Sequence, residues 1–303
     1  MIKHLAKRIR QGLGWPLEAA IVYALVWLIR ITPVRFASAF GGALFGTIGP
    51  ISPWNRRVIF NIGYAMPETD SGQRRRIARQ AWHNMGRVVG EFFHIETLMK
   101  SGYVSLEGGE HLDPERGGML IGAHLGCWEL IGGPALMQGY AASCVYRPTN
   151  NPLVNALLHK RNRVYTRVYE KGRDGARGIT ETIRRKEFFS MLVDQKLREG
   201  IMLDFFGHKA STAVAHVKAA LRMDVPILMV QMVRVGGCHQ KLIVRPLDLK
   251  VDGRGRKADM PENVAEIASR INTIIEGWIR ENPGQWLWHH RRWPASKGEA
   301  EEA

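Results

Sequence analysis

The apolar positions of the chain form one long run near the N-terminus and a helical pattern after it. Residues 15–31 are apolar except for Glu18 and Arg30. From residue 70 to 99, apolar side chains recur at three- and four-residue intervals among many charges, which predicts an amphipathic helix. The first run falls short of the roughly 20 apolar residues that cross a bilayer core. It predicts a membrane-associated helix, either a marginal span or one lying in the interface.

Residues 36–55 carry no charge but contain four glycines and two prolines. Because both residue types disfavour helices, we predict an apolar loop and a short helix lying on the bilayer. The run at 37–39 is similar to a signal-peptidase site, yet Arg30 and Arg35 precede it and argue against cleavage. A buried core helix is the alternative to the membrane interpretation of residues 1–55.

From residue 119 onward, short apolar runs alternate with helical stretches. The runs of strand length are residues 119–123, 143–146, 188–193, 225–233 and 240–244, and the helical stretches lie near 129–138, 151–163, 175–186, 212–222 and 262–281. This alternation predicts an α/β fold, with a mainly parallel or mixed central sheet flanked by helices.

Three segments follow from these patterns. We predict a membrane anchor and interfacial segment at residues 1–55, an α/β domain at 56–295 and a tail at 296–303. The charged glycine-containing stretch at 253–255 is predicted to be a surface loop.

The composition adds a class of partner. Lys and Arg number 43 against 28 acidic residues, so the 303-residue chain carries a formal charge of +15. Such an excess favours an anionic partner, such as a membrane surface, an acidic protein, a phosphorylated substrate or nucleic acid. Ten basic residues fall between 160 and 186. We expect this segment to be a solvated face or a surface for an acidic carrier protein or lipid headgroups.

The chain lacks the sequence motifs that define several enzyme classes. The chain contains no G-x-S-x-G, no G-x-x-x-x-G-K-[ST] and no H-E-x-x-H. Its three cysteines include no C-x-x-C pair, so a cysteine-based zinc site lacks ligands and a reducing compartment is favoured. These absences argue against a serine hydrolase with a nucleophile elbow, a P-loop enzyme and a zincin.

The strongest candidate chemistry lies directly after the run at 119–123. His124 follows the predicted strand, Gly126 allows a tight turn, and Glu129 begins an apolar helix. Ligands bind at the carboxyl ends of strands in α/β sheets, where a histidine can act as general base while a carboxylate holds its other ring nitrogen. A structural histidine beside a glutamate that complements the helix dipole is equally compatible with these residues. Cys127 is predicted to pack rather than to act as a nucleophile.

Other candidates also follow predicted strands. Arg147 ends the run at 143–146, where its guanidinium suits either a phosphate or a buried ion pair. Asp194 and Gln195 lie at the end of the run at 188–193. Ser211 or the adjacent Thr212 is predicted to cap the helix that ends near Arg222, and an anion could bind at that helix N-terminus.

Five ordered blocks of sequence resemble the lipid A biosynthesis acyltransferases of Gram-negative bacteria, the late, Kdo-dependent enzymes with a His-x-x-x-x-Glu motif. The blocks are GAHLGCWE at 122–129, YRP at 146–148 with NP at 151–152, VDQ at 193–195, FFG at 205–207 with AST at 210–212, and QWLWHHRRW at 285–293. The basic, apolar N-terminus is also similar to that family's inner-membrane anchor.

The resemblance implies transfer of a fatty acyl chain, usually from acyl carrier protein, to a hydroxyl of a lipid A precursor at the cytoplasmic face of the inner membrane. It implies His124 as the base and Glu129 as its orienting acid. The substrate-binding residues it implies are Arg147, Asp194, Gln195 and Ser211. We expect no cofactor and no metal, because a thioester is already activated and the developing oxyanion needs only hydrogen-bond donors. Nucleic acid is not an expected partner.

Two alternatives remain at this stage. The acceptor could be another membrane glycolipid or a lysophospholipid, because related enzymes share the His-acid motif. Lys196 departs from the acidic or different polar residue that often follows Asp-Gln in the family, which bears on the choice of acceptor. The second alternative is a non-catalytic, membrane-tethered nucleic-acid binder, whose duplex binding would depend steeply on salt.

Overall fold

The computed structural model describes residues 14–161, 164–197, 199–250 and 260–293. The helices are α1 Trp15–Ile31, α2 Val34–Ile48, α3 Asn55–Ala65, α4 Ser71–Glu91, α5 Ile95–Lys100, α6 Gly133–Met137, α7 Pro152–Arg161, α8 Arg173–Arg184, α9 Ala215–Met223 and α10 Pro261–Glu281. The strands are β1 Val104–Glu107, β2 Gly118–Gly122, β3 Ala142–Tyr146, β4 Arg167–Glu170, β5 Phe188–Leu192, β6 Ile201–Phe205, β7 His208–Thr212, β8 Ile227–Gly236 and β9 His239–Pro246. The basic residues before Gly14, the predicted loop at 253–255 and the predicted tail lie outside these ranges.

Seven strands form one sheet in the order β1-β9-β8-β2-β5-β3-β4. Neighbouring strands run parallel except β8 and β9, which are antiparallel. Every residue of β2 is buried, as expected for a central strand of a parallel sheet covered on both faces. The predicted α/β fold with a mainly parallel sheet is therefore confirmed, and each of the five predicted strand runs overlaps a strand of this sheet.

A separate hairpin replaces one predicted helix start. β6 and β7 pair antiparallel, and Phe206 and Gly207 join them with φ values of +54° and +72°. Two adjacent residues with positive φ match the short turns that suit the twist of a hairpin. Ser211 lies within β7, opposite Met202, and α9 begins only at Ala215. The predicted helix cap at Ser211 is therefore wrong, because cross-strand pairing takes up this segment.

The predicted apolar loop after residue 36 is also wrong, because α2 is a regular helix of 15 residues. Its glycines lie against α4: a Cβ on Gly41 would stand 2.2 Å from the carbonyl oxygen of Gly86, and one on Gly86 would stand 2.0 Å from that of Gly41. Small residues at such positions let two helix backbones approach closely. Packing against α4 thus outweighs the low helix propensity of glycine.

Apolar side chains of α2 that do not face α4 are exposed. Phe36, Phe40, Leu44 and Ile48 recur at four-residue intervals, and Phe40 is 70% exposed. By length and composition, Val34–Ile51 could cross a membrane, with 39% of the segment buried in the protein. The core helix of a soluble protein passes the same test.

Candidate active site

The register of two parallel strands brings His124 and Asp194 together. Gly122 of β2 lies opposite Leu192 of β5, and the amide of Val193 donates to the carbonyl of Gly122 over 3.0 Å. His124 and Asp194 each follow two residues beyond this pair, so they leave the sheet side by side. Nδ1 of His124 lies 2.7 Å from Oδ1 of Asp194, and the backbone amide of His124 donates to Oδ2 over 2.9 Å.

Asp194 is a buried carboxylate with three donors. Besides the two contacts from His124, the indole Nε1 of Trp286 donates to Oδ2 over 2.7 Å. Burial by itself would raise the pKa of Asp194, but the charge of His124 and these hydrogen bonds outweigh it and lower the pKa to about 2. Because an ionised carboxylate only accepts hydrogen bonds, Nδ1 of His124 is assigned a proton, and in the neutral imidazole the lone pair therefore lies on Nε2.

The second ring nitrogen of His124 faces Gln195. Nε2 of His124 lies 3.1 Å from the side-chain amide nitrogen of Gln195, which donates to it in this tautomer. The His124 side chain is 15% exposed and lines a cavity. A hydroxyl that enters the cavity and replaces the Gln195 amide would meet an unprotonated imidazole nitrogen.

Hydrogen bonds from distant segments of the chain fix the turn that follows His124. Gly126 has φ +57°, and a Cβ there would lie 2.5 Å from the carbonyl oxygen of Met232, so the tight turn predicted at this glycine is confirmed. Asn84 donates to the carbonyl of Gly126 over 3.0 Å, and the Gly126 amide donates to the carbonyl of Gln285 over 3.2 Å. The amide of Leu287 donates to the His124 carbonyl over 3.1 Å. Segments distant in sequence therefore fix the position of His124.

Glu129 lines the same cavity as His124. It lies in a 3₁₀ turn, Trp128–Leu130, and the α-helix begins only at Gly133, so the predicted helix over 129–138 is shorter than expected. The backbone carbonyl of Glu129 accepts from the Tyr165 hydroxyl over 3.2 Å. The carboxylate bonded to Nδ1 of His124 is that of Asp194, so the orienting role predicted for Glu129 stays a prediction.

The cavity measures about 590 Å³, within the range of small-molecule binding pockets. Its apolar lining residues include Phe92, Trp128, Ile131, Tyr165, Ile179, Phe189 and Met191. Charged side chains also line it, among them Arg147, Lys171, Lys196 and Glu199. The lining thus combines many apolar side chains with charged groups of both signs.

Among the predicted substrate-binding residues, Arg147 and Gln195 line this cavity, and Asp194 lies behind His124. Arg147 is exposed and forms no hydrogen bond or ion pair with another residue in the described ranges, so the buried ion pair is not its role. Ser211 is not among the lining residues. Its hydroxyl donates to the carbonyl of Leu197, two residues beyond Gln195, and so holds the loop that carries Gln195.

Two further groups near the site, a thiol and an imidazole, are uncharged near pH 7. Cys127 is fully buried, and burial raises the pKa of its thiol well above the ordinary value, which agrees with its predicted packing role. His290 also lines the cavity, and its Nε2 accepts from the backbone amide of Lys196 over 3.1 Å. Burial lowers the pKa of His290 to about 4, so this ring is neutral near pH 7.

His290 and Trp286 are site residues that the spacing of residues does not identify. Both belong to the aromatic block at 285–293, which reaches the site from the C-terminal end of the chain. That block was the available signal, because its aromatic and basic residues are unusually dense.

In the described part of the basic segment at 160–186, some cations are paired with acids and others are not. Arg167 lies 2.9 Å from a carboxylate oxygen of Glu187, and Arg177 lies 2.6 Å from one of Asp174. Lys171 instead lines the cavity. Within the described ranges, no cluster of three or more His, Cys, Asp or Glu side chains could hold a metal ion.

The comparisons with known proteins identify the class of this protein: it is an acyltransferase. The chain belongs to the family described as bacterial lipid A biosynthesis acyltransferase, whose sequence profile matches residues 10–295. It is 26% identical over 245 residues to the lipid A biosynthesis palmitoleoyltransferase of Escherichia coli (strain K12) and to the lipid A biosynthesis acyltransferase of Shigella flexneri. Both alignments cover 77% of this chain and 76% of the relative.

Among solved structures, the chain is similar to the 1-acyl-sn-glycerophosphate (LPA) acyltransferase PlsC from Thermotoga maritima. The TM-score is 0.36 and the sequence identity 15%, with 80% of this chain and 95% of the other covered. The predicted family and enzyme class are confirmed by the family match and the curated relatives.

Proposed function

We propose that this acyltransferase transfers a fatty acyl chain from an acyl thioester, with acyl carrier protein as the donor, to a hydroxyl of a lipid A precursor. One observation carries the proposal: His124 lines a largely apolar cavity while the buried carboxylate of Asp194 holds its Nδ1. The curated relatives support the choice of acceptor, because both are named as lipid A biosynthesis enzymes.

In the proposed reaction, Nε2 of His124 accepts the proton of the acceptor hydroxyl as its oxygen attacks the thioester carbonyl. The tetrahedral intermediate then expels the donor thiolate, which takes the proton back from the imidazolium. The new ester and a free thiol are the products. Asp194 keeps Nδ1 protonated throughout and stabilises the positive ring between the two proton transfers.

We assign Glu129 to the same proton transfer as a second negative charge. It lines the cavity with His124, where its carboxylate would stabilise the imidazolium as it forms. The orienting function that the resemblance gives to Glu129 is thereby shared with Asp194, which forms the direct contact with Nδ1.

The cavity supports a fatty acyl substrate. Its aromatic and aliphatic lining residues would remove the chain from water, a gain of about 0.8 kcal/mol per buried CH₂ group. Arg147 and Lys171 line the same cavity and carry charges that suit a phosphate on either the donor arm or the acceptor.

Localisation at the cytoplasmic face of the inner membrane is part of the proposal. The exposed apolar side chains of α1 and α2 support it, and so does the charge of +15, because the cytoplasmic leaflet carries anionic lipids. Residues 1–55 would then act as the anchor of the catalytic domain at 56–295.

The decisive experiment incubates the purified, detergent-solubilised protein with acyl carrier protein or coenzyme A thioesters and two acceptors. The acceptors are a Kdo-bearing lipid A precursor and lysophosphatidic acid, and the products are identified by mass spectrometry. We expect one acyl mass to be added to the lipid A precursor with the carrier-linked donor. Acylation of lysophosphatidic acid alone would instead support the lysophospholipid alternative, and no acylation of either would contradict the proposal.

A further inference from the structure

A second cavity, of about 650 Å³, lies between α2, α4 and the turn that follows α10. Ala43, Gly46 and Thr47 of α2 leave room on one side of it. The residues at 281–285 close another side. None of its lining residues belongs to the lining of the catalytic cavity, so it is a separate space.

The α4 wall of this cavity offers hydrogen-bond donors without partners. Arg79, Gln80 and His83 all line the cavity. Across the parts of the chain that the structure describes, none of these three side chains forms a hydrogen bond or an ion pair. A guanidinium, an amide and an imidazole are therefore available to a ligand from a single helix face.

The charge around these donors is positive. Burial and then the charges of Arg87, Arg234 and Arg79 lower the pKa of His83. The guanidinium of Arg234 is neutralised by Glu91, with Nη2 of the arginine 2.8 Å from Oε2. Glu281 is the acid on the cavity wall, and it accepts a hydrogen bond from Gln231 over 3.0 Å. The charge of Arg79 has no such partner, which favours an anionic ligand.

An apolar surface adjoins the cavity. Ala43 and Thr47 of its wall alternate along α2 with Leu44 and Ile48, which are exposed, as is Phe40 one turn earlier. A ligand with an anionic head and an apolar tail could therefore place its head against Arg79 and its tail along α2.

We propose that this cavity binds the phosphate-bearing headgroup of an anionic lipid. Arg79 would pair with the phosphate, and Gln80 and His83 would donate further hydrogen bonds. The wall is also bonded to the catalytic turn, because the side chain of Asn84 donates to the carbonyls of Gly126 and Gln285, both over 3.0 Å. A lipid in this site would thus contact the framework that positions His124.

The test measures binding of dihexanoylphosphatidylglycerol to the full-length, detergent-solubilised protein by isothermal titration calorimetry. The lipid is kept below its own critical micelle concentration. Dihexanoylphosphatidylcholine and inorganic phosphate are titrated in parallel. We expect saturable binding of the anionic lipid. Arg79→Gln should weaken it by about tenfold or more, as expected for loss of a hydrogen bond between charged groups.

Two variants make the result specific. Arg76→Gln removes the same charge one turn earlier on α4, outside the cavity lining, and should leave the affinity within about twofold. Thr47→Trp keeps every charge but fills the space, so it should abolish binding while a thermal melt shows a folded protein.

Three outcomes would overturn the proposal. Equal loss of binding in Arg76→Gln and Arg79→Gln would indicate a diffuse surface attraction instead of a site. Binding of inorganic phosphate as tight as that of the lipid would make it a simple anion site, and equal binding of phosphatidylcholine would show that the negative charge is not recognised.

Discussion

Asp194 connects the sheet to the chemistry of His124. Its carboxylate accepts from the ring and the backbone amide of His124 and from the indole of Trp286. Three donors on one buried carboxylate fix its position, and the carboxylate in turn fixes the tautomer of the histidine. The substrate-binding role predicted for Asp194 therefore gives way, in our proposal, to a role that acts through His124.

The ionisation of Asp194 predicts a loss of stability in acid. Its pKa of about 2 lies below its ordinary value of 3.8, so its ionised form stabilises the native state above about pH 4. This contribution, on the order of 2 kcal/mol, is lost as the pH falls from about 4 toward 2. Asp194→Asn should therefore lose less stability than the wild type over this interval. Thermal melts between pH 2 and 6 measure the difference, and parallel curves for the two proteins would contradict it.

The role proposed for Glu129 predicts that its substitution lowers kcat without changing KM. Glu129→Gln preserves the shape of the side chain but removes the charge proposed to stabilise the imidazolium. We expect kcat to fall by about 10²-fold or more with KM little changed, because the interaction would form only as the proton is transferred. Glu199→Gln is the matched control, since Glu199 lines the same cavity. If the two variants retain equal activity, Glu129 has no special role.

At the scale of elements, the runs at 119–123 and 188–193 show which features of the sheet can be predicted from the sequence and which cannot. Their apolar character predicts two buried strands, and both exist as β2 and β5. Their adjacency does not follow from local pattern, because the sheet order is set by packing over the whole chain. As long as the order of the strands is unknown, Glu129 is the candidate partner of His124, because it is the carboxylate nearest to it in sequence. Once that order is known, the equal offset of His124 and Asp194 from the paired ends explains their contact.

Among the elements that sequence reasoning missed, β1, β4 and α2 depend on packing with distant parts of the chain. β1 and β4 are four-residue strands at the two edges of the sheet, too short to show a pattern of their own. Helix α2 is rich in glycine and would be weak alone, yet it forms because glycines at its interface permit close contact with α4. Tertiary packing, which a local window does not contain, decides both cases.

Two helical glycines in different surroundings, one in the contact between α2 and α4 and one exposed on α10, should respond oppositely to substitution by alanine. Gly86→Ala would force a Cβ into the backbone of Gly41, at a cost of about 1–3 kcal/mol in stability. Gly277→Ala, at an exposed helical position with nothing within 4 Å, should stabilise by about 0.5–1 kcal/mol. Thermal or denaturant unfolding compares the two, and an unchanged or raised stability in Gly86→Ala would refute this packing.

At the scale of the whole molecule, the exposed apolar side chains are concentrated at the N-terminal end. Those of α1, α2 and the turn after α2 include Leu17, Ile21, Leu25, Trp27, Phe36, Phe40, Leu44, Ile48, Ile51 and Trp54. A concentration of this kind is typical of a membrane or protein interaction surface. The sequence predicts the apolar character of this region, whereas the packing of α2 against α4, which leaves these side chains of α2 exposed, required the structure.

The membrane association that we propose predicts that added charge weakens membrane binding at this surface and not elsewhere. Phe40→Glu with Leu44→Glu should lower binding to anionic vesicles by at least tenfold, because about 3 kcal/mol opposes each charge placed in a bilayer core and about 1.4 kcal/mol corresponds to tenfold in affinity. Met202→Glu with Val235→Glu adds the same charge at exposed apolar positions elsewhere and serves as the control. Vesicle flotation measures the bound fraction. Equal losses in the two double variants would assign the effect to net charge.

The most direct test of the account is the rate of acyl transfer by His124→Ala, measured by mass spectrometry with a carrier-linked donor and with folding verified by thermal melt. Removing the base should leave at most a trace of activity, since general-base catalysis contributes about 10²- to 10⁴-fold. Adding Asp194→Asn to His124→Ala should then cost little more, because residues that act as a unit are not additive. Near-normal turnover by a folded His124→Ala protein would contradict the role of His124 as the base and the mechanism built on it.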